Sequence, residues 1–176
     1  MAQTFNYQSV GPINFESVSN VTATNSVDLG TVRTQGGEEY VFIYNGGSAD
    51  INVGQFAVLS FNSGYTVTVS STTGYDVVFG VCKHAAIASS RYGWLLTRGF
   101  TTVTNGMAST ALAVGDPLYP AAAGKVMALA VTATTALSQL TLYQGASPCI
   151  GVIVSACASG GTGSSQALAY VRCFGS

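Results

Sequence analysis

Few residues of this 176-residue chain could do bond-making chemistry. His84 is the only histidine, and it follows Cys82 and Lys83. A nucleophilic mechanism needs an imidazole beside a thiol or hydroxyl, with an acid to orient it. Residues i and i+2 of a strand share a face, so Cys82 and His84 meet that spacing. No Gly-x-Ser-x-Gly elbow or other nucleophile setting accompanies them, and His84 reads as a strand-end or loop histidine without a catalytic role. Glu38-Glu39 is the one adjacent carboxylate pair. On a strand the two point to opposite faces, which does not suit shared acid/base work, so they read as solvated turn charges. Cys82, Cys149, Cys157 and Cys173 lack the close spacing of a metal site and read as buried thiols used as small hydrophobes. Asp28, Asp50, Asp76 and Asp116 are scattered singly and make no calcium loop. Gly160-Gly161-Thr162-Gly163-Ser164-Ser165 has no following lysine and no helix behind it, so a hairpin tip is the better reading than a phosphate cradle. No catalytic, cofactor-binding or metal-ligating residue emerges, and no cofactor is implied. The chain does not read as an enzyme.

Charge is equally sparse. Six Lys/Arg face seven Asp/Glu, so 7% of residues are charged, where an ordinary soluble domain carries about 25%. Nucleic-acid affinity rests on phosphate neutralisation, and no basic cluster exists to supply it. The longest apolar stretch, 118–131, is interrupted by Pro120, Gly124 and Lys125, which argues against a membrane span. Met-Ala-Gln-Thr-Phe has no basic region and no apolar run behind it, so synthesis under reducing conditions is expected. A free monomer normally carries a more charged surface. This composition predicts a protein packed against something.

The elements that must position these residues are strands. Val, Thr, Gly, Ser and Ala dominate, a mix that favours pleated, half-buried segments. Period-two alternation is plain in Tyr65-Thr66-Val67-Thr68-Val69 and Leu140-Thr141-Leu142-Tyr143. Further strands are predicted at 39–44, 56–61, 77–83, 94–97, 100–103, 125–131, 150–155 and 167–174, separated by Gly/Ser/Asn/Thr clusters. Short helices at 85–90 and 107–114 are the only helical candidates. The fold class is all-β, an antiparallel sandwich or barrel.

Residues 1–30 differ in texture: polar, aperiodic and nearly uncharged, they read as an extended N-terminal arm before a β domain at 31–176. Within that domain an internal repeat is expected, at 53–104 and 114–174. Val53-Gly54, Phe79-Gly80-Val81 and the strand ending Arg98-Gly99-Phe100 recur in order as Val114-Gly115, Ile150-Gly151-Val152 and Arg172-Cys173-Phe174. Arg98 and Arg172 would then occupy equivalent sites in two similar β units.

Taken together, Leu29-Gly30-Thr31-Val32-Arg33, Gly37-Glu38-Glu39-Tyr40-Val41-Phe42-Ile43-Tyr44, Val53-Gly54-Gln55-Phe56-Ala57-Val58, Phe79-Gly80-Val81, Gly115-Asp116-Pro117-Leu118-Tyr119 and Ile150-Gly151-Val152 resemble the capsid cement, or head decoration, proteins of tailed bacteriophages. The likeness runs from residue 29 to residue 174, with Gln55 standing where such proteins usually carry an acid. It implies a non-enzymatic virion protein on the capsid exterior, often a homotrimer, that binds the major capsid protein and bridges neighbouring subunits. The residues also leave open a receptor- or glycan-binding β-module of a phage tail or host surface, using exposed Tyr or Trp94, and a hydrolase using Cys82 and His84.

Overall fold

The computed structural model describes residues 17–25, 27–60, 64–69, 78–107, 110–128, 150–158 and 165–173. Their strands are β1 (Val32–Gln35), β2 (Glu38–Asn45), β3 (Phe56–Leu59), β4 (Thr66–Val69), β5 (Val78–Val81), β6 (Tyr92–Thr104), β7 (Pro117–Pro120), β8 (Val126–Ala128), β9 (Gly151–Ser155) and β10 (Gln166–Arg172). All ten hydrogen-bond into one sheet, in the order β1-β2-β4-β3-β5-β6-β10-β9-β7-β8. An additional β2–β6 pairing closes β2, β4, β3, β5 and β6 into a five-stranded barrel. The fold is all-β.

The order reads the same outward from the β6–β10 seam: β5, β3 and β4 on one side, β9, β7 and β8 on the other. The two flanks also share their turns. Asn52 and Gln55 exchange backbone and side-chain hydrogen bonds, with the Asn52 N–H donating to Gln55 Oε1 at 2.7 Å and the Gln55 N–H to the Asn52 carbonyl at 3.0 Å. Ala113 and Asp116 do the same, at 2.8 and 3.1 Å. Gln55 thus does with an amide what Asp116 does with a carboxylate. Gly54 and Gly115 hold the turns open with φ of 83° and 90°, a region costly to any residue bearing a Cβ. β8 returns to the end of β6 through a parallel bridge, Asn105 to Val126, as β4 returns to β2 through the parallel pair Asn45–Val67.

Packing follows from alternation. Val41, Ile43, Ala57, Val67, Phe79 and Leu95 gather with Ile51, Cys82 and Ile87 into one buried cluster drawn from the five barrel strands and their turns. Fully burying each such aliphatic side chain contributes roughly 1.5–3 kcal/mol. A second cluster takes Tyr40, Phe42, Trp94 and Leu96 together with Leu118, Val126, Ile153, Ala169 and Val171 of the later strands. β2 is therefore buried on both faces, and no polar alternation marks it.

Several expectations need amendment. The segments at 94–97 and 100–103 are one thirteen-residue strand, β6, which passes through Gly99 without ending. Neither 85–90 nor the described part of 107–114 is helical: Ile87 bridges Ile51, and Leu112 bridges Cys157. One 3₁₀ turn, Ala122–Gly124, is the only helical piece among the described residues. β1 was not foreseen, because Val32–Gln35 is short and largely exposed, whereas β7 is the apolar strand expected after the Val114-Gly115 turn. The strand expected at 140–143 lies outside the described residues. So does much of the N-terminal arm, but its later part lies on the chain's own domain. Val18 is buried, the Thr22 N–H donates to the Tyr92 carbonyl at 3.0 Å, and Val27 and Leu29 pack on the second cluster.

Candidate functional site

Glu38 and Tyr40 lie two apart on β2 and so share a face, while Lys83 and His84 follow β5. These four side chains meet. Lys83 Nζ donates to both Glu38 oxygens at 2.5 Å, and the Tyr40 hydroxyl donates to Glu38 Oε2 at 2.6 Å. His84 Nε2 lies 3.0 Å from the same hydroxyl, with the two rings stacked at 5.6 Å. Because the single Tyr40 proton goes to Glu38, the contact with His84 requires Nε2 to carry hydrogen and donate. Partial burial works against the Glu38 carboxylate, but the Lys83 and Tyr40 bonds outweigh it and hold its pKa below 4.5. Burial, followed by the Lys83 charge, lowers His84 from 6.5. Burial and the neighbouring Glu38 raise Tyr40.

Glu38 is therefore not the solvated turn charge its sequence setting suggests. The cluster ties the start of β2 to the segment after β5. Nothing in it is a nucleophile: the Cys82 thiol is fully buried, pushed up to about 12 by that burial, and donates to the Ala85 carbonyl at 3.1 Å. Cys82 and His84 hold different partners, so the arrangement that a hydrolase would require is not assembled. Among the described residues no three of His, Cys, Asp and Glu converge as metal ligands. Cys157 and Cys173 form no disulfide, and Cys149 lies outside the described residues.

Glu39 turns the other way. It lines a cavity of about 430 Å³ with Thr97 and the apolar Val32, Val41, Leu59, Tyr65 and Phe79. Trp94, which a glycan platform would expose, is 6% accessible and faces the second cluster.

Exposed apolar side chains on paired strands gather elsewhere. On the outer faces of β6, β10 and β9, Phe100 is 51% exposed, Val152 41%, Val154 40% and Leu168 39%. Phe100 and Tyr170 are direct cross-strand partners with an edge-to-face ring contact at 5.1 Å. Arg98 Nε donates to the Tyr170 hydroxyl at 3.2 Å, and Arg98 and Arg172 face each other across the two strands. The sequence pointed to a strand at 167–174. It could not say that the outer face would be left open.

No helix of the described residues is long and apolar enough to cross a membrane. No curated protein matches the sequence. Among solved structures the chain is similar to the N base of head fiber gp8.5 in bacteriophage phi29, at 10% identity and a TM-score of 0.47, over 76% of this chain and 94% of that one. The family model described as phage cement protein matches residues 34–171, which takes in β2 through β10 apart from the last residue of β10. On that match the chain belongs to the phage cement protein family, structural proteins of the bacteriophage virion.

Proposed function

We propose that this protein binds the outer surface of a phage capsid and cements neighbouring major capsid subunits, without catalysis or cofactor. The observation that carries the reading is the family match across residues 34–171. The composition supports it independently. With 7% of residues charged, a large neutral surface can enter an interface without desolvating ions, whose burial is costly when pairing is imperfect. Each copy would contribute a modest contact, and many copies on one shell would add. On this reading the protein is made in the host cytoplasm, contacts neither nucleic acid nor membrane, and assembles as a homotrimer on the shell.

Shells assembled from the major capsid protein, with and without added protein, test the proposal. Pelleting with the shells and a higher shell disruption temperature are expected. Shells that bind no protein, or that bind it and lose integrity at the same temperature, would overturn cementing. Sedimentation of the purified protein tests the trimer, for which a mass of three chains is expected.

A further inference from the structure

β6 carries an extra residue at Thr97, where its register with β2 shifts, and its exposed face begins at Arg98. Before it, Trp94 and Leu96 are buried, as are Tyr40 and Phe42 on the paired strand β2. Val18, Val27 and Leu29 of the chain's own N-terminal segment belong to the same packed cluster. Beyond Arg98, Phe100 is exposed and paired to Tyr170, and no described segment covers it. Leu168 and Val152 extend this open face across β10 and β9. A contiguous apolar face of this kind marks an interaction surface.

The charge on that face says what fits it. Arg98 and Arg172 are direct cross-strand partners and both exposed, an arrangement of like charges that is unfavourable when left alone. Neither guanidinium forms an ion pair with a described carboxylate. Glu39, opposite Arg98 in the β2–β6 register, lines the cavity, and its charge favours the guanidinium without forming an ion pair with it. Two planar guanidinium forks side by side suit carboxylates, which they can bind bidentately. A second copy docking through the same face would bring arginines onto arginines. Among the described acids, Glu38 is held by Lys83 and Tyr40, Glu39 lines the cavity, and Asp28, Asp50 and Asp116 lie singly along the chain.

We infer that the outer face of β6, β10 and β9 is the surface that docks on the capsid, against an apolar patch of the partner carrying acidic side chains opposite Arg98 and Arg172. This inference rests on the cementing reading and adds to it the face and its chemistry. The test is co-sedimentation of the full-length protein with preassembled empty shells of the major capsid protein. Arg98→Glu/Arg172→Glu is expected to weaken binding at least about tenfold, and Phe100→Ala/Leu168→Ala several-fold. Arg91→Glu, on an exposed residue just before β6, is expected to leave binding unchanged. Arg98→Lys/Arg172→Lys keeps the charge but loses the forks, so an intermediate loss is expected, and it decides the matter should the glutamate pair fail to fold. Wild-type binding matched by both arginine double variants would overturn the inference and leave cementing in place. Wild-type protein that never sediments with shells would overturn both. A drop in oligomer mass on Arg98→Glu/Arg172→Glu would make the occupant a second copy and overturn the acidic partner.

Discussion

Asn45 and Asn105 make the same three hydrogen bonds at two separate places in the sheet. The Asn45 amide nitrogen donates to the Ala49 and Ile87 carbonyls at 3.0 and 2.9 Å, and the Asn105 nitrogen to those of Thr110 and Ala158 at 3.0 and 3.2 Å. Each side-chain oxygen accepts the N–H two residues on, from Gly47 at 3.1 Å and Met107 at 2.8 Å. Both side chains are fully buried, and each sits where a strand end pairs in parallel with a returning strand, β4 at Asn45 and β8 at Asn105. They hold shut the two places where the sheet curls back on itself.

Replacing either residue with alanine leaves two carbonyls and an N–H without their partner, in a part-buried setting. The expected loss is about 2–4 kcal/mol for Asn45→Ala and for Asn105→Ala. Asn→Asp should be worse at neutral pH, because it sets a carboxylate oxygen against two carbonyl oxygens. Urea unfolding midpoints check this ordering. A milder effect from aspartate than from alanine would show that the donor bonds are not what matters.

The paired Val-Gly turns give a differential prediction. At Gly115 an added Cβ meets nothing within 4 Å, so Gly115→Ala should cost only the left-handed backbone strain, about 1–2 kcal/mol. At Gly54 the same Cβ would lie 2.9 Å from Thr104 Oγ1 and 3.4 Å from the Thr102 carbonyl. Gly54→Ala should therefore be the more destabilising, and thermal melts of the two variants compare them directly.

These turns also show what sequence could and could not reveal. Val-Gly followed by an apolar strand was readable twice, because only glycine tolerates the positive φ both turns use. The alternation in β10 was readable because one face is buried and the other open. β2 hid its geometry, since it is covered on both sides. β1 hid its own because it is four residues long, largely exposed and without a buried face to mark its period. The polar cluster was invisible for a different reason. Glu38 and Lys83 lie far apart in sequence, and only the strand pairing brings them to one spot. Arg98 and Arg172 were readable as a recurring residue, but not as partners across one seam.

Thiol reactivity follows burial. Cys82 and Cys173 are buried and both pushed up to about 12 by desolvation, whereas Cys157 is half-buried. A thiol-specific reagent applied to native protein, with peptide mapping, should label Cys157 well before Cys82 and Cys173. Those two should react only with unfolding, at a rate that rises with urea. Immediate labelling of Cys82 in native protein would contradict its packing inside the barrel.

The Glu38–Tyr40–His84–Lys83 cluster makes stability fall with acid in two windows. The His84 midpoint lies below 6.5 in the fold, so its contribution is present above that value and is lost as pH drops through the folded midpoint. Glu38 lies below 4.5 in the fold, so its contribution is present above 4.5 and is lost further into acid. Glu38→Gln should cost about 1 kcal/mol at neutral pH, the scale of a partly solvated ion pair, and its difference from wild type should vanish once Glu38 is protonated. The single histidine gives a clean nuclear magnetic resonance signal for the coupling. The Lys83 charge lowers His84 and the Glu38 charge raises it, so Lys83→Met should move the His84 midpoint up and Glu38→Gln should move it down. Shifts in the same direction for both variants would mean that burial alone sets His84 and that the charges on the two flanking residues do not reach it.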